Sequence, residues 1–379
     1  MTRYLLLSLF IPLLIAGIVQ AQQEFCPVDF ETIFDQIVED CTSLGRNQVC
    51  YGNWRIDAET TPNSDNFIQS GDIIPVNQLI SLRTYPLSSE LDDWGIALFR
   101  VQANIADTLP GQNVTIVAFG DTEIQPDLDA EGESLGTMRA FYLTTGIGIP
   151  TCKDIPEGGI LLQTPRGGDV SLVINGFDLT VGSTVLLTAA DTDELTVATI
   201  EGNVEVTVNG VVQSIPVGQK LHIIREDNGL ESSTATAPEA LESVEIAQIP
   251  ISLLPDHIPI PATDGWVSTG VQVVAGQRIT ISVTGIAASC NHDDCPEPYD
   301  QWVSPSGLIE TECSDCLMTG VPEMAVVGRI DETSPFLVGY GGEFVVDTSG
   351  TLFLAANDAA YAYDDNAGTF YALVTVADQ

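Results

Sequence analysis

The chain has 379 residues, of which 12 are basic and 53 acidic, so its formal net charge at pH 7 is −41. The electrostatic field of such a negatively charged protein repels nucleic acids and anionic membrane surfaces, which excludes them as partners. The same charge favours solubility and the binding of divalent cations. Hydrophobic residues make up 44% of the chain, which is enough for a packed core. At roughly 150 residues per domain, the length leaves room for two or three domains.

Residues 1–21 have the three parts of a secretory signal peptide. Arg3 supplies the positive charge, an apolar run begins at Tyr4, and small residues end the segment, which places cleavage between Ala21 and Gln22. The alternative is a transmembrane anchor, but the run is near the lower limit of roughly 17 residues for a span. We therefore expect a mature protein without a membrane span that is secreted, periplasmic or attached to the cell surface.

Eight cysteines follow the leader in two sets of four. They are Cys26, Cys41, Cys50 and Cys152 in the first set, and Cys290, Cys295, Cys313 and Cys316 in the second. An even number of cysteines in an exported protein favours disulfides, and we expect pairing within each set. Within a set, roughly three connectivities are open. The close spacing in the second set also fits a zinc site, which is the alternative.

Residues 22–150 are predicted to form an N-terminal, cysteine-containing α+β domain. Apolar residues recur at helical spacing from Asp29 to Cys41, which predicts one amphipathic helix. The short apolar segments Trp94–Val101 and Asn113–Phe119 are bounded by proline and glycine turns and predict strands.

Residues 151–230 show the clearest strand pattern of the chain. Val204–Val208 alternates apolar and polar residues and leads into Asn209-Gly210, a strong signal for a tight β-hairpin, with Val211 starting the return strand. The segments Gly182–Leu187, Leu195–Val197, Ile200–Val206 and Ile215–Gln219 follow one another as strands and glycine turns. In these segments this part resembles FecR-type domains, which are periplasmic or extracellular β structures, some of which sense signals with a membrane partner.

Residues 231–255 are rich in small residues and proline and predict an extended linker. Residues 256–379 predict a second all-β domain, so the fold class is mainly β and multidomain. Its strand candidates are Val271–Val274, Arg278–Thr284, Met324–Ile330, Phe344–Val346, Thr351–Ala355 and Thr369–Val376. Turns separate them at intervals typical of a sandwich.

The C-terminal domain contains several segments with a recognisable order and spacing: Gly265-Trp266, Val274–Ile281, Ser304–Gly307, Ala325–Ile330, Phe336–Gly339, Ser349–Leu354 and the loop Asn357–Gly368. In these segments the domain resembles the PA-IL-like family of calcium-dependent galactophilic lectins over most of its length, which implies a jelly-roll-like β-sandwich. In that loop, carboxylate and amide side chains lie close together, and Ca²⁺ takes roughly six to eight oxygen ligands.

The resemblance implies a ligand set for calcium. Asp358, Asp365 and Asn366 would bind through their side chains, and Ala362 and Ser289 through their backbone carbonyls. Hydroxyl groups of a carbohydrate would complete the shell, beside Asp358 and Asp365. The alternative is a turn that keeps its fold without metal.

The family's sugar-contacting histidine and glutamine fall near Val303 and Ser306, which cannot make the same hydrogen bonds. The preceding loop is replaced by Cys290–Cys295, so galactose specificity does not transfer. Two weaker motifs are expected to be surface loops. Asp127–Gly132 resembles the first half of an EF-hand loop but has Met138 where the bidentate glutamate belongs, so a solvated loop is expected. The run from His292 to Cys295 has residue types that could bind a metal, but a surface loop held by a disulfide is expected there.

The sequence contains none of the common catalytic motifs, and its three histidines lie in different regions. We therefore expect a non-catalytic binding protein that binds calcium, with carbohydrate or cell-envelope components as partners. The alternative is a structural envelope or signalling ectodomain module that makes protein contacts.

Overall fold

The computed structural model describes residues 30–88, 94–102, 113–126, 140–146, 158–165, 168–225, 233–241, 245, 249–290, 295–299 and 301–377. Several predictions lie outside these ranges: the signal peptide 1–21 with Ala21 and Gln22, Cys26, Cys152, Asp127–Gly132 and His292. The described chain is mainly β with several open sheets, as predicted. In these ranges, no helix is both long and apolar enough to cross a membrane.

The predicted N-terminal helix is confirmed as α1 (Phe30–Asp40). Its apolar face buries Phe34 and Ile37, which are three residues apart and so lie on the same side of the helix. A disulfide joins Cys41, just after the helix, to Cys50 in the first strand. The helix is therefore both packed and covalently fixed against the sheet that follows.

Two large sheets follow the helix. The first has ten strands: β1 (Gln48–Asn53), β3 (Ile73–Pro75), β5 (Ile96–Gln102), β6 (Asn113–Gly120), β9 (Gly158–Gln163), β12 (Thr184–Thr188), β13 (Glu194–Glu201), β16 (Gln219–Ile224), β17 (Thr234–Ala235) and β18 (Glu239–Ala240). The second has eight: β2 (Ile56–Thr60), β4 (Leu79–Thr84), β7 (Thr122–Pro126), β8 (Ala140–Thr145), β10 (Val170–Ile174), β11 (Phe177–Val181), β14 (Val204–Val208) and β15 (Val211–Ile215). A 3-10 turn covers Val76–Gln78.

Both sheets contain strands from residues 22–150 and from residues 151–230, so the predicted boundary between these regions does not separate the sheets. Strand β6 pairs with β9 in the first sheet, and β8 pairs in parallel with β10 in the second. One core lies between the sheets and draws on both regions, with Ile116 from β6 and Val185 from β12 among its buried residues. The N-terminal and FecR-like regions therefore form one continuous sandwich.

The predicted hairpin is confirmed. Strands β14 and β15 pair from Val204↔Ile215 to Val208↔Val211, leaving two residues in the turn. Asn209 and Gly210 both have positive φ, at 53° and 75°. Asparagine and glycine tolerate this backbone region best, which explains the turn.

The predicted linker 231–255 is partly incorporated into the first sandwich. Strands β17 and β18 pair with β16. After them, a 3-10 turn (Ile251–Leu253) is buried with α1 against the outer face of the first sheet. Apolar residues such as Ile249 and Leu254 thus gain a packed environment that an extended connector lacks.

The C-terminal domain is a separate sandwich of two four-stranded sheets. One contains β19 (His257–Pro261), β28 (Ala367–Val376), β21 (Arg278–Ala288) and β26 (Gly341–Val345); the other contains β20 (Val267–Val273), β27 (Gly350–Ala356), β24 (Val326–Ile330) and β25 (Phe336–Leu337). Ile281, Leu354 and Phe370 are buried between them. A short pair, β22 (Leu308–Glu312) and β23 (Pro322–Glu323), lies beside this sandwich.

A buried polar contact connects the two sandwiches. Nε2 of His257, at the start of β19, lies 3.1 Å from both carboxylate oxygens of Glu201, at the end of β13. Their side chains are 1% and 0% exposed. Thr184 also donates a hydrogen bond of 2.6 Å to Glu201. The carboxylate is therefore paired on both sides of the contact, as burial of a charge requires.

Candidate functional site

The loop 357–368, predicted to bind metal, joins β27 to β28 and so passes from one sheet of the C-terminal sandwich to the other. Both ends of the loop are buried, with Asp358 4% and Asn366 6% exposed. In between, a 3-10 turn buries Tyr363, whose hydroxyl donates to the carbonyl of Ala356 at 3.0 Å. The two polar ends are thereby held together inside the protein.

Asp358 and Asn366 contact each other directly. Oδ2 of Asp358 accepts a hydrogen bond of 2.8 Å from Nδ2 of Asn366. Its Oδ1 accepts a bond of 2.6 Å from the backbone N–H of Ala359. The Asn366 amide also donates to the carbonyl of Ala262 at 2.9 Å. These bonds fix the carboxylate and the amide in one orientation.

The side-chain oxygen of Asn366 lacks a hydrogen-bond donor. This atom, Oδ1, is buried and accepts no hydrogen bond from the described residues. A buried polar oxygen without a partner costs about 1–3 kcal/mol. An amide oxygen and a carboxylate are hard ligands of the kind that Ca²⁺ prefers, so a bound calcium ion would satisfy both.

The remaining predicted ligands lie around this pair. Asp365 is exposed and adjoins Asn366, and Ser289 is buried at the end of β21. Ala362 lies within the loop, where its N–H donates to the carbonyl of Ala359 at 2.9 Å. Asp358 and Asn366 are thus the members of the predicted set that contact each other directly, and the coordination of metal by each member stays a prediction.

Two further carboxylates at the site, Glu323 and Asp315, are missing from the predicted set. Glu323 ends β23 and is half-buried, and its carboxylate lies within 4.8 Å of the sulfurs of Cys313 and Cys316. Asp315 lies in the Cys313–Cys316 segment and accepts a hydrogen bond of 2.5 Å from the Tyr361 hydroxyl. Neither residue belongs to the loop motif, so only a three-dimensional arrangement reveals them.

The four carboxylates repel one another. Burial raises the pKa of Asp358, and the charges of Asp365 and Asp315 raise it further, although the bonds from Asn366 and Ala359 oppose this. Burial likewise raises the pKa of Glu323, followed by the charge of Asp358. Like charges held close together are costly to ionise, and a cation between them removes that cost.

Asn357 attaches the segment carrying Asp315 and Glu323 to the metal loop. Its side-chain oxygen accepts from Met318 N at 2.8 Å, and its amide donates to the carbonyls of Met318 and Pro322 at 3.0 and 3.1 Å. Because Asn357 directly precedes Asp358 and is fully buried, these bonds fix one set of carboxylates relative to the other.

The cysteines of the second set are paired within the set, as expected. Disulfides join Cys290 to Cys295 and Cys313 to Cys316. The sulfurs of Cys313 and Cys316 and a carboxylate oxygen of Glu323 all lie within 4.8 Å of one another. The sulfurs are in disulfides and are not thiolates, so the zinc alternative lacks its ligands in this structure.

The residues at the positions of the family's sugar contacts make contacts within the protein itself. Val303 is buried and pairs with Ala287 across an isolated bridge. Ser306 forms a hydrogen bond of 2.9 Å with Ser304. Neither presents a long polar side chain, so selection of a ligand at this site depends on other residues.

Comparisons with known proteins give limited likenesses. No family model and no curated protein matches the sequence. Among solved structures, the EclA N-terminal domain, a PllA-like lectin, is 25% identical at a TM-score of 0.26, covering 32% of this chain and 95% of its own. A proposed anti-sigma factor from Parabacteroides distasonis is 14% identical at a TM-score of 0.23, covering 38% of this chain. The chain spans 61% of that structure's length.

Proposed function

We propose that the chain is a non-catalytic binding protein located outside the cytoplasm, and that its C-terminal domain binds Ca²⁺ and, through it, a carbohydrate. The observation that carries this proposal is the pairing of buried Asp358 with Asn366, whose side-chain oxygen has no hydrogen-bond partner among the described residues. Extracytoplasmic location is supported by the three disulfides of the described residues, since such bonds persist in oxidising compartments.

Calcium suits this site better than smaller divalent ions. The site offers several carboxylates and an amide from separate segments, and calcium accepts such irregular oxygen shells, whereas Mg²⁺ demands a near-octahedral one. Extracellular calcium is plentiful, so a dissociation constant in the range of roughly micromolar to millimolar is sufficient. Part of the shell would remain open to a ligand, because Asp365 is exposed at the surface.

Isothermal titration calorimetry on the full chain, after removal of calcium with a chelator, tests the metal site. We expect saturable binding by the wild-type protein and its loss in Asp358→Asn. Asp364→Asn is the matched control, since Asp364 is an exposed carboxylate of the same loop. Absence of saturable binding at millimolar calcium, or equal binding by Asp358→Asn, would overturn the metal assignment.

A glycan array probed with the full chain tests the carbohydrate. Binding in calcium that disappears in chelator supports the proposal. If calcium binds in the calorimeter but no glycan is retained, the metal site stands and the carbohydrate function is rejected.

A structural envelope or signalling module is the second candidate, and one surface favours it. Strand β15 is an edge of the second sheet, and its Val211 and Val212 are 59% and 58% exposed. An apolar edge strand is a natural site for pairing with another protein. Retention of no glycan, together with recovery of one envelope protein by the wild type and not by Val211→Lys, would favour this candidate.

A further inference from the structure

The Cys313–Cys316 disulfide closes the shortest loop of the three disulfides among the described residues. Its cysteines are 3 positions apart, whereas those of the other two pairs are 5 and 9 positions apart. The chain entropy that a disulfide removes from the unfolded state grows with the length of the loop, so this bond stabilises the fold least. Between its cysteines, Ser314 and Asp315 are exposed, so a reductant reaches this segment from solvent.

Backbone contacts hold both cysteines in place independently of the disulfide. The N–H of Cys313 donates to the carbonyl of Val321 at 3.3 Å, and the carbonyl of Cys313 accepts from the N–H of Gly320 at 3.3 Å. Cys316 pairs with Ala359 across an isolated bridge. The two sulfurs should therefore stay close together after reduction, as two ligands of one metal ion must.

Two carboxylates lie beside these sulfurs. A carboxylate oxygen of Glu323 and the two sulfurs all lie within 4.8 Å of one another. Oδ1 of Asp315 lies 3.8 Å from Sγ of Cys313, while its Oδ2 accepts a hydrogen bond from the Tyr361 hydroxyl. Bonds of about 2.3 Å to a tetrahedral zinc ion place two sulfurs roughly 3.8 Å apart. The Cα–Cα distance of 5.6 Å between the cysteines allows that separation once the S–S bond is broken.

We propose that reduction converts this disulfide into a zinc site. Its ligands are two sulfurs and two carboxylates: Cys313, Cys316, Glu323 and Asp315. Structural zinc sites commonly use two cysteines separated by two residues, and Zn²⁺ takes four thiolate, imidazole or carboxylate ligands. In an oxidising compartment the disulfide is the resting form, so zinc binding follows exposure to a reductant. The site is independent of the proposed calcium site, because Ca²⁺ binds oxygen ligands and not thiolates.

The conversion requires a dithiol as the reductant. One thiolate of the dithiol attacks a sulfur of the disulfide, and the second then resolves the mixed disulfide, so the dithiol gives up two electrons and becomes a disulfide itself. Its two thiol protons pass to Cys313 and Cys316. Binding of Zn²⁺ then releases both protons to solvent and leaves two thiolates on the metal.

The surroundings of the sulfurs favour metal binding over a role in thiol–disulfide exchange. Reactive Cys-x-x-Cys pairs lie in electropositive surroundings, near basic side chains or a helix N-terminus. At this pair, the charged side chains in contact with the sulfurs are Glu323 and Asp315, both acidic. Sulfur and carboxylate ligands together suit a divalent cation such as zinc.

Absorption spectroscopy with Co²⁺ in place of zinc tests the site, because only thiolate ligands give a sulfur-to-cobalt charge-transfer band. Carboxylates elsewhere on this acidic chain do not. The full chain is reduced with dithiothreitol, the reductant is removed without oxygen, and the free thiols are counted before titration. We expect a band that saturates with a single Co²⁺ and disappears when Zn²⁺ is added, and no band in the oxidised protein. Survival of the Cys313–Cys316 bond in dithiothreitol, or no band after its reduction, would overturn the inference.

Variants assign the band to these residues. Cys313→Ser, Cys316→Ser should lose it. Cys290→Ser, Cys295→Ser is the matched control and should keep it, since the group of metal ligands found among the described residues does not include that pair. Glu323→Gln should weaken zinc binding at least about tenfold, because loss of even an outer-shell partner costs that much. Far-UV circular dichroism shows whether each variant is folded. A band kept by Cys313→Ser, Cys316→Ser, or an unchanged zinc affinity in Glu323→Gln, would also overturn the inference.

Discussion

Replacing Asp358 by asparagine should change stability little without calcium and lower it with calcium. Asp358 is buried, and its pKa is raised by burial and by the charges of Asp365 and Asp315. In chelator, the amide removes a carboxylate that is costly to ionise, but it keeps only one acceptor oxygen for the bonds from Ala359 and Asn366. Because these two effects oppose each other, we expect Asp358→Asn to have a Tm close to that of the wild type under these conditions.

With calcium, the two proteins should differ. A ligand present at a hundred times its dissociation constant stabilises the folded state by about 2.7 kcal/mol. For a domain of the length of residues 256–379, unfolding entropy of about 2.1 cal/mol/K per residue converts this into a rise in Tm of roughly 10 °C. The wild type should show that rise, and Asp358→Asn should show almost none.

Thermal unfolding followed by circular dichroism measures the Tm of the wild type and of Asp358→Asn, each with calcium and with chelator. Asp364→Asn should behave as the wild type, because this exposed carboxylate lies outside the buried pair. An equal rise in Tm for the wild type and Asp358→Asn would show that the calcium ion binds elsewhere in the protein.

Three further predictions follow from the same contacts. In chelator, the raised pKas of Asp358 and Glu323 give a stability contribution that is present below the carboxylate pKa of the unfolded chain and lost as pH rises through the folded values. The Tm of the wild type should therefore fall, relative to that of the double variant Asp358→Asn, Glu323→Gln, as the pH rises above the ordinary carboxylate pKa of about 4; parallel curves would contradict this. Asn357→Ala should cost about 1–3 kcal/mol and weaken calcium binding in calorimetry, because it releases the segment bearing Glu323; unchanged affinity would count against that role. Glu201→Ala should cost about 1–3 kcal/mol in urea unfolding, because it leaves the buried Nε2 of His257 without its hydrogen-bond partner. A double-mutant cycle with His257→Ala should show coupling, and additive losses would show that the pair contributes nothing.

Local features of the fold could be predicted from the sequence, because they depend on neighbouring residues. Helix α1 follows from apolar spacing, and the β14–β15 hairpin follows from Asn209-Gly210 between alternating strands. It could not be predicted in this way that strands from residues 22–150 and from residues 151–230 lie together in both sheets. Pairings such as β6 with β9 join distant segments, and the alternation of apolar residues says which face is buried but not which strand lies beside it.

In the candidate site too, the residues that are close in sequence could be predicted, and those from distant segments could not. Asp358, Asp365 and Asn366 lie in one short loop, so their grouping is visible in the sequence. Glu323 and Asp315 come from a distant segment, which the Asn357 side chain and backbone hydrogen bonds join to the loop. An isolated carboxylate in a chain with 53 acidic residues carries no signal of its own, which is why the sequence did not distinguish these two.

The most direct test is long-wavelength anomalous diffraction from crystals of the full chain grown in calcium. We predict a calcium peak within coordination distance, about 2.3–2.6 Å, of Asp358 and the side-chain oxygen of Asn366. A map with no anomalous peak at this pair, despite millimolar calcium in the crystals, would contradict the claim that the loop is a calcium site.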